Sequence, residues 1–256
     1  MSLGHSPQIV TNGLIYMLDP ANRKVWNGTS TSMTSLINNG VNTISNGPYG
    51  YDTSTYLVPV MTINNALLST ATSTCTIALS TPDLNTLALN QNITVMFAAK
   101  KNYYGYGGNS NGNTEFMQGV SNGYGNGWRI SEGSQIYPQP ITTGAAFTGT
   151  HYWSFEFTDV GGPTISVGDT VSYNRMCICA MSLTPTLLTG FVNGNFGQIN
   201  NNGGYVTGPI QPYISYTSAG AGSFNGLFGF LMIYNRGLTR NEIQQNFNAL
   251  RGRYNL

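Results

Sequence analysis

Nine acidic residues and two histidines are all that this 256-residue chain offers to acid–base chemistry. The nearest acidic pair is Glu156 and Asp159, within Phe155-Glu156-Phe157-Thr158-Asp159. Residues three apart on a strand fall on opposite faces, whereas retaining glycoside hydrolysis needs two carboxyl groups about 5 Å apart across one bond. A glycoside hydrolase is therefore the weakest of the functional readings, and no catalytic residue is assigned. A Ser-His-Asp arrangement fares no better. His5 lies in the terminal segment, and His151 beside Tyr152-Trp153 reads as a strand-end residue. The three cysteines form no disulfide framework. Cys177 and Cys179 are expected to be small buried side chains on opposite faces of a strand rather than metal ligands. Asp19, Asp52, Asp159 and Asp169 sit in turn contexts. There aspartate either caps its own backbone or serves as a ligand of structural calcium. No other cofactor is expected.

Binding chemistry is better represented than catalysis. Tyr103, Tyr104, Tyr106 and Asn109 lie in one glycine-rich stretch, Tyr124 and Asn126 in another. Tyrosine is at once apolar and hydrogen-bonding, and with glycine and asparagine around it a loop can stack on sugar rings. The same mixture suits an adaptable protein contact, and a merely solvated loop is the third reading.

The elements that must carry these residues read as β almost throughout. Apolar or alternating runs recur between turn signals: Leu14–Leu18, Thr74–Leu79, Ile93–Ala99, Glu115–Val120, Gly127–Ser131, Tyr152–Phe157, Val171–Tyr173 continuing to Met176–Met181, and Pro212–Tyr216. Trp153, Phe155 and Phe157 share one face of their run, with Tyr152, Ser154 and Glu156 on the other; Trp128 and Ile130 share a face of theirs. Trp128 and Trp153 are expected in the core. Thr189–Gly197 reads as a hairpin with Asn193-Gly194 in a type I′ turn. The segment from Trp26 to Gly50 reads as a long polar loop, as does Asn102–Asn113.

The ending differs from the rest. An apolar strand, Phe224–Tyr234, is followed by a short helix opening at Leu238-Thr239-Arg240-Asn241-Glu242-Ile243. Thr239 and Glu242 form a capping box, and Leu238 and Ile243 a hydrophobic staple. Ile243, Phe247 and Leu250 share one face. Gly252 is expected to stop the helix, with Arg251 and Arg253 at its negative end; Arg240 stands at the wrong end for the dipole. The fold class is all-β: an antiparallel jelly-roll β-sandwich with one short C-terminal helix, as a single domain over residues 1–256.

Composition narrows the partners. Charged residues make up 7% of the chain and the net charge is +1, against about 25% charged residues in an average soluble domain. That excludes a basic footprint for nucleic acid; Lys100-Lys101 reads as a solvated strand end. No apolar run approaches the length of a membrane helix, so membrane insertion is not expected, and the polar N-terminal residues carry no signal-peptide pattern.

Gly13–Asp19, Ile93–Ala99 with Gly127–Ile130, Phe191–Gly194, and above all the closing segment from Phe224-Asn225-Gly226 through Ile233–Thr239 to Glu242–Phe247, resemble the concanavalin A-like lectin/glucanase superfamily in its laminin-G-like branch. The opening His5–Asn22 and the ending Ile233–Tyr254 are similar to versions found in structural proteins of tailed bacteriophages. The resemblance covers nearly the whole chain and is weakest between residues 26 and 90. It implies a non-enzymatic virion protein: a capsid-surface decoration or virion-attached lectin-like module, made in the host cytoplasm. Its partners would be other copies of itself, capsid or tail proteins. The alternative is a carbohydrate-binding host-adhesion protein of tail-fibre or receptor-binding type, with a host surface glycan as ligand.

Overall fold

The computed structural model describes residues 8–44, 49–63, 77–79, 92–101, 114–120, 127–134, 151–158, 164–169, 175–201, 211–214, 222–224 and 226–256, to which all structural statements refer. Two antiparallel sheets face each other. Sheet A runs β14 (Asn195–Asn200), β13 (Leu187–Val192), β12 (Cys177–Leu183), β7 (Ile93–Lys101), β17 (Gly226–Tyr234), β5 (Val60–Ile63) and β4 (Tyr49–Asp52). Strand β1 (Leu14–Leu18) lies along the half of β17 that β5 leaves free. Sheet B runs β11 (Thr164–Asp169), β10 (His151–Thr158), β9 (Gly127–Ser134), β8 (Thr114–Val120), β15 (Gln211–Ile214), β6 (Ile77–Ala78), β3 (Val41–Ile44) and β2 (Ser32–Thr34). Strand β16 (Gly222–Ser223) adds a short parallel pairing to β8. The sheets meet along one side, where β11 lies against β13 and β14.

Aromatic rings fill the space between the sheets. Phe97 stacks on Phe116 with centroids 4.3 Å apart, Trp153 stands edge-on to Phe97 at 5.1 Å, and Phe224 edge-on to Phe116 at 5.0 Å. Trp153 and Phe155 are buried together with Ile130, as their alternation predicts.

The central strands of sheet A, β12, β7 and β17, are buried on both faces, which is why they read as continuous apolar runs rather than alternations. In β7, Val95, Phe97 and Ala99 join the inter-sheet core, while Met96 and Ala98 join a second core on the outer face. In β17 the ladder to β7 slips between Phe228 and Phe230. That one-residue bulge turns Phe228 inward and Phe230 outward. Gly229 is the residue skipped, and a Cβ there would stand 2.6 Å from the Tyr254 hydroxyl.

The outer core of sheet A is roofed by helix α1 (Arg240–Leu250), which presents Ile243, Phe247 and Leu250 to it. Each side chain so buried contributes about 2 kcal/mol. The capping box forms: the Glu242 N–H donates to Thr239 Oγ1 at 3.3 Å and the Thr239 N–H donates to Glu242 Oε2 at 2.9 Å. Leu238 and Ile243 are both buried as the staple requires. Arg240, misplaced for the dipole, lies over the Phe196 ring at 4.9 Å. The Asn193-Gly194 turn has positive φ at both residues, 46° and 101°.

Several expectations need correction. Gly252 does not stop the helix: Arg251–Tyr254 continues as a 3₁₀ turn, and the left-handed residue is Asn255 at φ 57°. Burial of Tyr254 beneath the turn tightens the chain instead of releasing it. Cys177 and Cys179 do not face opposite ways. Two residues apart on a strand is one face, and both border the inter-sheet core. The Trp26–Gly50 segment is not one long loop, since it contains the β2–β3 hairpin. Its short strands hide the period because a buried asparagine, Asn42, fills a core position and donates to the Met33 and Gly40 carbonyls. Trp26 is buried and donates Nε1–H to the Ser30 carbonyl. Strand β11 was not among the expected strands, and β17 starts at Gly226 rather than Phe224.

Candidate functional site

The tyrosine loops singled out from the sequence, with Tyr103, Tyr104, Tyr106, Asn109, Tyr124 and Asn126, lie outside the described residues. Their anchor points are described. The first loop leaves β7 at Lys101 and rejoins the sandwich at Thr114, so it passes from sheet A to sheet B; the second links Val120 of β8 to Gly127 of β9. The loops are therefore attached to opposite ends of β8, about 20 Å apart at strand rise. The string Gly108-Asn109-Ser110-Asn111-Gly112 has the spacing of a nucleophile elbow. That motif works at a strand-to-helix turn; residues 108–112 lie outside the described residues.

The groups that could do chemistry are largely engaged in holding the fold. Asp19 accepts both contacts of the Arg253 guanidinium at 2.8 Å and the Ala21 N–H at 3.1 Å. Asp52 caps its own turn, accepting the Ser54 and Thr55 N–H groups and both hydroxyls. These hydrogen bonds hold its carboxyl below the usual range, that from the Thr55 hydroxyl most strongly. Asp169 closes β11 opposite His151, the first residue of β10, and Asp159 lies outside the described residues. Among the described residues no group of three or more histidine, cysteine, aspartate or glutamate side chains is placed to hold a metal ion.

Arg236 and Glu242 form a two-pronged ion pair, 3.0 Å and 2.6 Å, on the loop entering α1. The hydrogen bonds from Arg236 push the Glu242 carboxyl down to about 2. Asn246, on the buried face of α1, accepts the Val10 N–H at 2.7 Å and donates to the Tyr234 hydroxyl at 3.0 Å, which in turn donates to the Val10 carbonyl at 3.0 Å. Burial pushes that phenol up to about 12. Gln245 donates to the Gln8 carbonyl and Arg236 to that of Asn12. One face of sheet A is thus roofed by α1 and the N-terminal segment, tied to each other and to β17.

Sheet B has no such roof among the described residues. Its register can be followed across all eight strands. Thr164 pairs with Glu156, Glu156 with Arg129, Arg129 with Gln118, Gln118 with Tyr213, Tyr213 with Ala78, Ala78 with Thr43, and Thr43 with Ser32. A parallel row holds Ser166, Ser154, Ser131 and Glu115. Alternation already set Tyr152, Ser154 and Glu156 opposite Trp153 and Phe155. The sequence reading missed that Arg129, Gln118 and Tyr213 would stand in line with them. Glu156 is paired directly with Arg129 and Thr164.

No protein family matches the chain, and no curated protein matches it at a significant level. Solved structures do. Domain 4 of AbnA, an extracellular arabinanase of Geobacillus stearothermophilus in complex with arabinotriose, superposes with a TM-score of 0.57 at 12% identity, over 92% of this chain and 98% of that one. The binding domain of botulinum neurotoxin DC in complex with SialylT gives a TM-score of 0.63 at 11% identity, over 93% of this chain and 52% of that one. Trypanosoma rangeli sialidase in complex with the inhibitor DANA gives 0.56 at 12%, over 95% and 35%. The chain therefore spans one whole domain of the first, about half of the second and a third of the last. At such identities the likeness establishes the fold: these are antiparallel β-sandwiches, as is this chain.

Proposed function

We propose that the chain is a non-enzymatic, lectin-like module of a tailed-bacteriophage virion that binds carbohydrate on the host surface. The observation that carries this reading is the asymmetry of the sandwich. The central strands of sheet A are covered on both faces, while among the described residues no roof lies on sheet B, whose strands bring hydroxyl, amide, phenol and charged residue types to directly paired positions. Sugars are recognised by such neutral donors and acceptors with an aromatic nearby. Three of the similar structures are a sugar-bound arabinanase domain, a toxin binding domain with SialylT and a sialidase, and this supports carbohydrate as the ligand class. The phage setting rests on the resemblance of the two termini, which fold here as one tied unit.

Immunogold labelling of purified particles, together with a glycan array probed with the intact chain, tests both halves. Surface label and saturable binding without release of shortened glycans are expected. Unlabelled particles would overturn the setting, and glycan cleavage lost in Glu156→Gln would overturn the non-enzymatic reading. A second reading, capsid decoration through contacts between copies, is favoured by the exposed apolar pair Ile37 and Val41 at the β2–β3 hairpin. It predicts particle attachment with no glycan bound.

A further inference from the structure

We propose that the flank of α1 turned toward β14 is a docking surface for an acidic protein segment, whose carboxylates are taken by Arg240 and Arg251. The inference goes beyond the carbohydrate reading and does not depend on it. Three observations converge on it. First, the two arginines stand on one stripe. Arg240, Gln244, Phe247 and Arg251 follow at the spacing that keeps residues on one side of a helix. Arg240 and Arg251 are exposed, Gln244 is half-buried and Phe247 is buried. Arg240 lies over the Phe196 ring at 4.9 Å, Phe196 packs on Phe191 at 4.8 Å, Phe191 on Phe247 at 5.4 Å, and Arg251 lies over Phe247 at 5.9 Å. An aromatic floor thus carries a cation at each end, the two about 16 Å apart at helical rise.

Second, the fold leaves both guanidinium groups without an acid. Arg236 and Arg253 are each held by a carboxylate, Glu242 and Asp19. Among the described residues Arg240 and Arg251 have neither an ion pair nor a side-chain hydrogen bond, only their rings. Glu242 is the one acid of α1. It lies two residues after Arg240, about 200° round the helix, and Arg236 takes both of its oxygens. Arg240 also stands in the first turn of α1, where the dipole disfavours a cation. Its charge therefore opposes the helix with no carboxylate to compensate, and an acidic partner would supply one.

Third, the surroundings suit a protein partner. Arginine and aromatic rings are the types enriched in protein contacts. Gln198 is exposed two residues from Phe196, on the same face of β14, and with Gln244 it supplies amides that pair with a peptide backbone. A guanidinium lying over a ring keeps N–H donors at its rim, in the fork that matches a carboxylate. Two cations are too few for a nucleic acid, which is held by neutralising many phosphates. Nor do the acidic side chains described in this chain point to a second copy as the partner: Asp19, Asp52 and Glu242 are each engaged within the chain.

The test uses the intact chain and a labelled serine-glycine-threonine peptide carrying two aspartates about five residues apart, which matches the spacing of the arginines in an extended chain. Its asparagine and lysine counterparts serve as controls, and binding is read by fluorescence anisotropy at low and high ionic strength. Expected is binding of the aspartate peptide alone, weakening about threefold or more with salt. Arg240→Gln and Arg251→Gln should each lose about fivefold or more, with thermal melts close to the parent. Lys24→Gln, an exposed cation elsewhere, should bind as the parent does. Arg240→Glu combined with Arg251→Glu should move binding to the lysine peptide. No binding of the aspartate peptide, or binding indifferent to both arginine variants, would overturn the site. A sulfated polysaccharide or single-stranded nucleic acid that competes at lower concentration than the peptide would overturn the partner class. Loss of glycan binding in Arg240→Gln would give the stripe to the carbohydrate instead, leaving the proposed function standing. Peptide binding in a chain that binds no glycan would do the reverse.

Discussion

Gly190 leaves no room for a side chain between the sheets on their joined side, and it gives the sharpest test of the packing. It sits in β13, paired with Met181 of β12 and Gly197 of β14. A Cβ placed there would stand 2.6 Å from Phe155 Cδ2 and 2.7 Å from Val167 Cγ2. Carbon atoms pack at about 3.5–4.0 Å, so Gly190→Ala must push β10 and β11 away by about 1 Å. Overpacking of this kind costs about 1–3 kcal/mol. Against it stands about 0.5–1 kcal/mol regained by removing a glycine from a strand interior. The net expectation is a loss of about 1–2 kcal/mol, measured by urea unfolding followed by tryptophan fluorescence at unchanged denaturant slope. Val167→Ala removes one of the two obstructing groups. Combined with Gly190→Ala it should cost less than the two single changes added together, by about 1 kcal/mol. A Gly190→Ala protein as stable as the parent, or strict additivity in the double variant, would refute the close approach of the sheets.

Two further predictions follow from the terminal unit. Because Glu242 is held at about 2 in the fold against an ordinary 4.5, its ion pair contributes stability that is fully present above about pH 4.5 and is lost as pH falls toward 2. The full shift corresponds to about 3 kcal/mol; with side chains 24% and 27% exposed, screening leaves about 1–2 kcal/mol. Glu242→Gln should flatten acid unfolding in that window, and an unchanged pH profile would remove the pair from the stability of the fold. Asn246→Ala strips the Val10 N–H of its partner and the Tyr234 hydroxyl of a donor, at about 2–3 kcal/mol. Its melting temperature should fall accordingly, and amide exchange at Val10 should accelerate more than at β12.

What could be read in advance follows from range. Thr239, Glu242, Leu238 and Ile243 act within one helical turn, so cap and staple were visible in the order of residues. The Asn193-Gly194 turn is equally local. Alternation put Trp153 and Phe155 in the core and Glu156 on the other face. What alternation cannot supply is which strand pairs with which. Arg129, Gln118 and Tyr213 become neighbours of Glu156 only through the order β10-β9-β8-β15, fixed by contacts distant in the chain. Gly190 looks like any glycine until Phe155 and Val167 are brought against it. The role of Arg253 was misjudged for the same reason: its partner, Asp19, is 234 residues away. The β2–β3 hairpin was hidden because its inward position is an asparagine, whose hydrogen bonds to Met33 and Gly40 substitute for apolar burial.

The most direct measurement is amide hydrogen exchange of the intact chain with and without a saturating uncharged oligosaccharide. Slowed exchange in peptides from β8, β9 and β10, with β1 and α1 unchanged, is the outcome expected if carbohydrate is bound on sheet B. Protection confined to α1 and the N-terminal segment, or none anywhere under conditions where the sugar is bound, would contradict it.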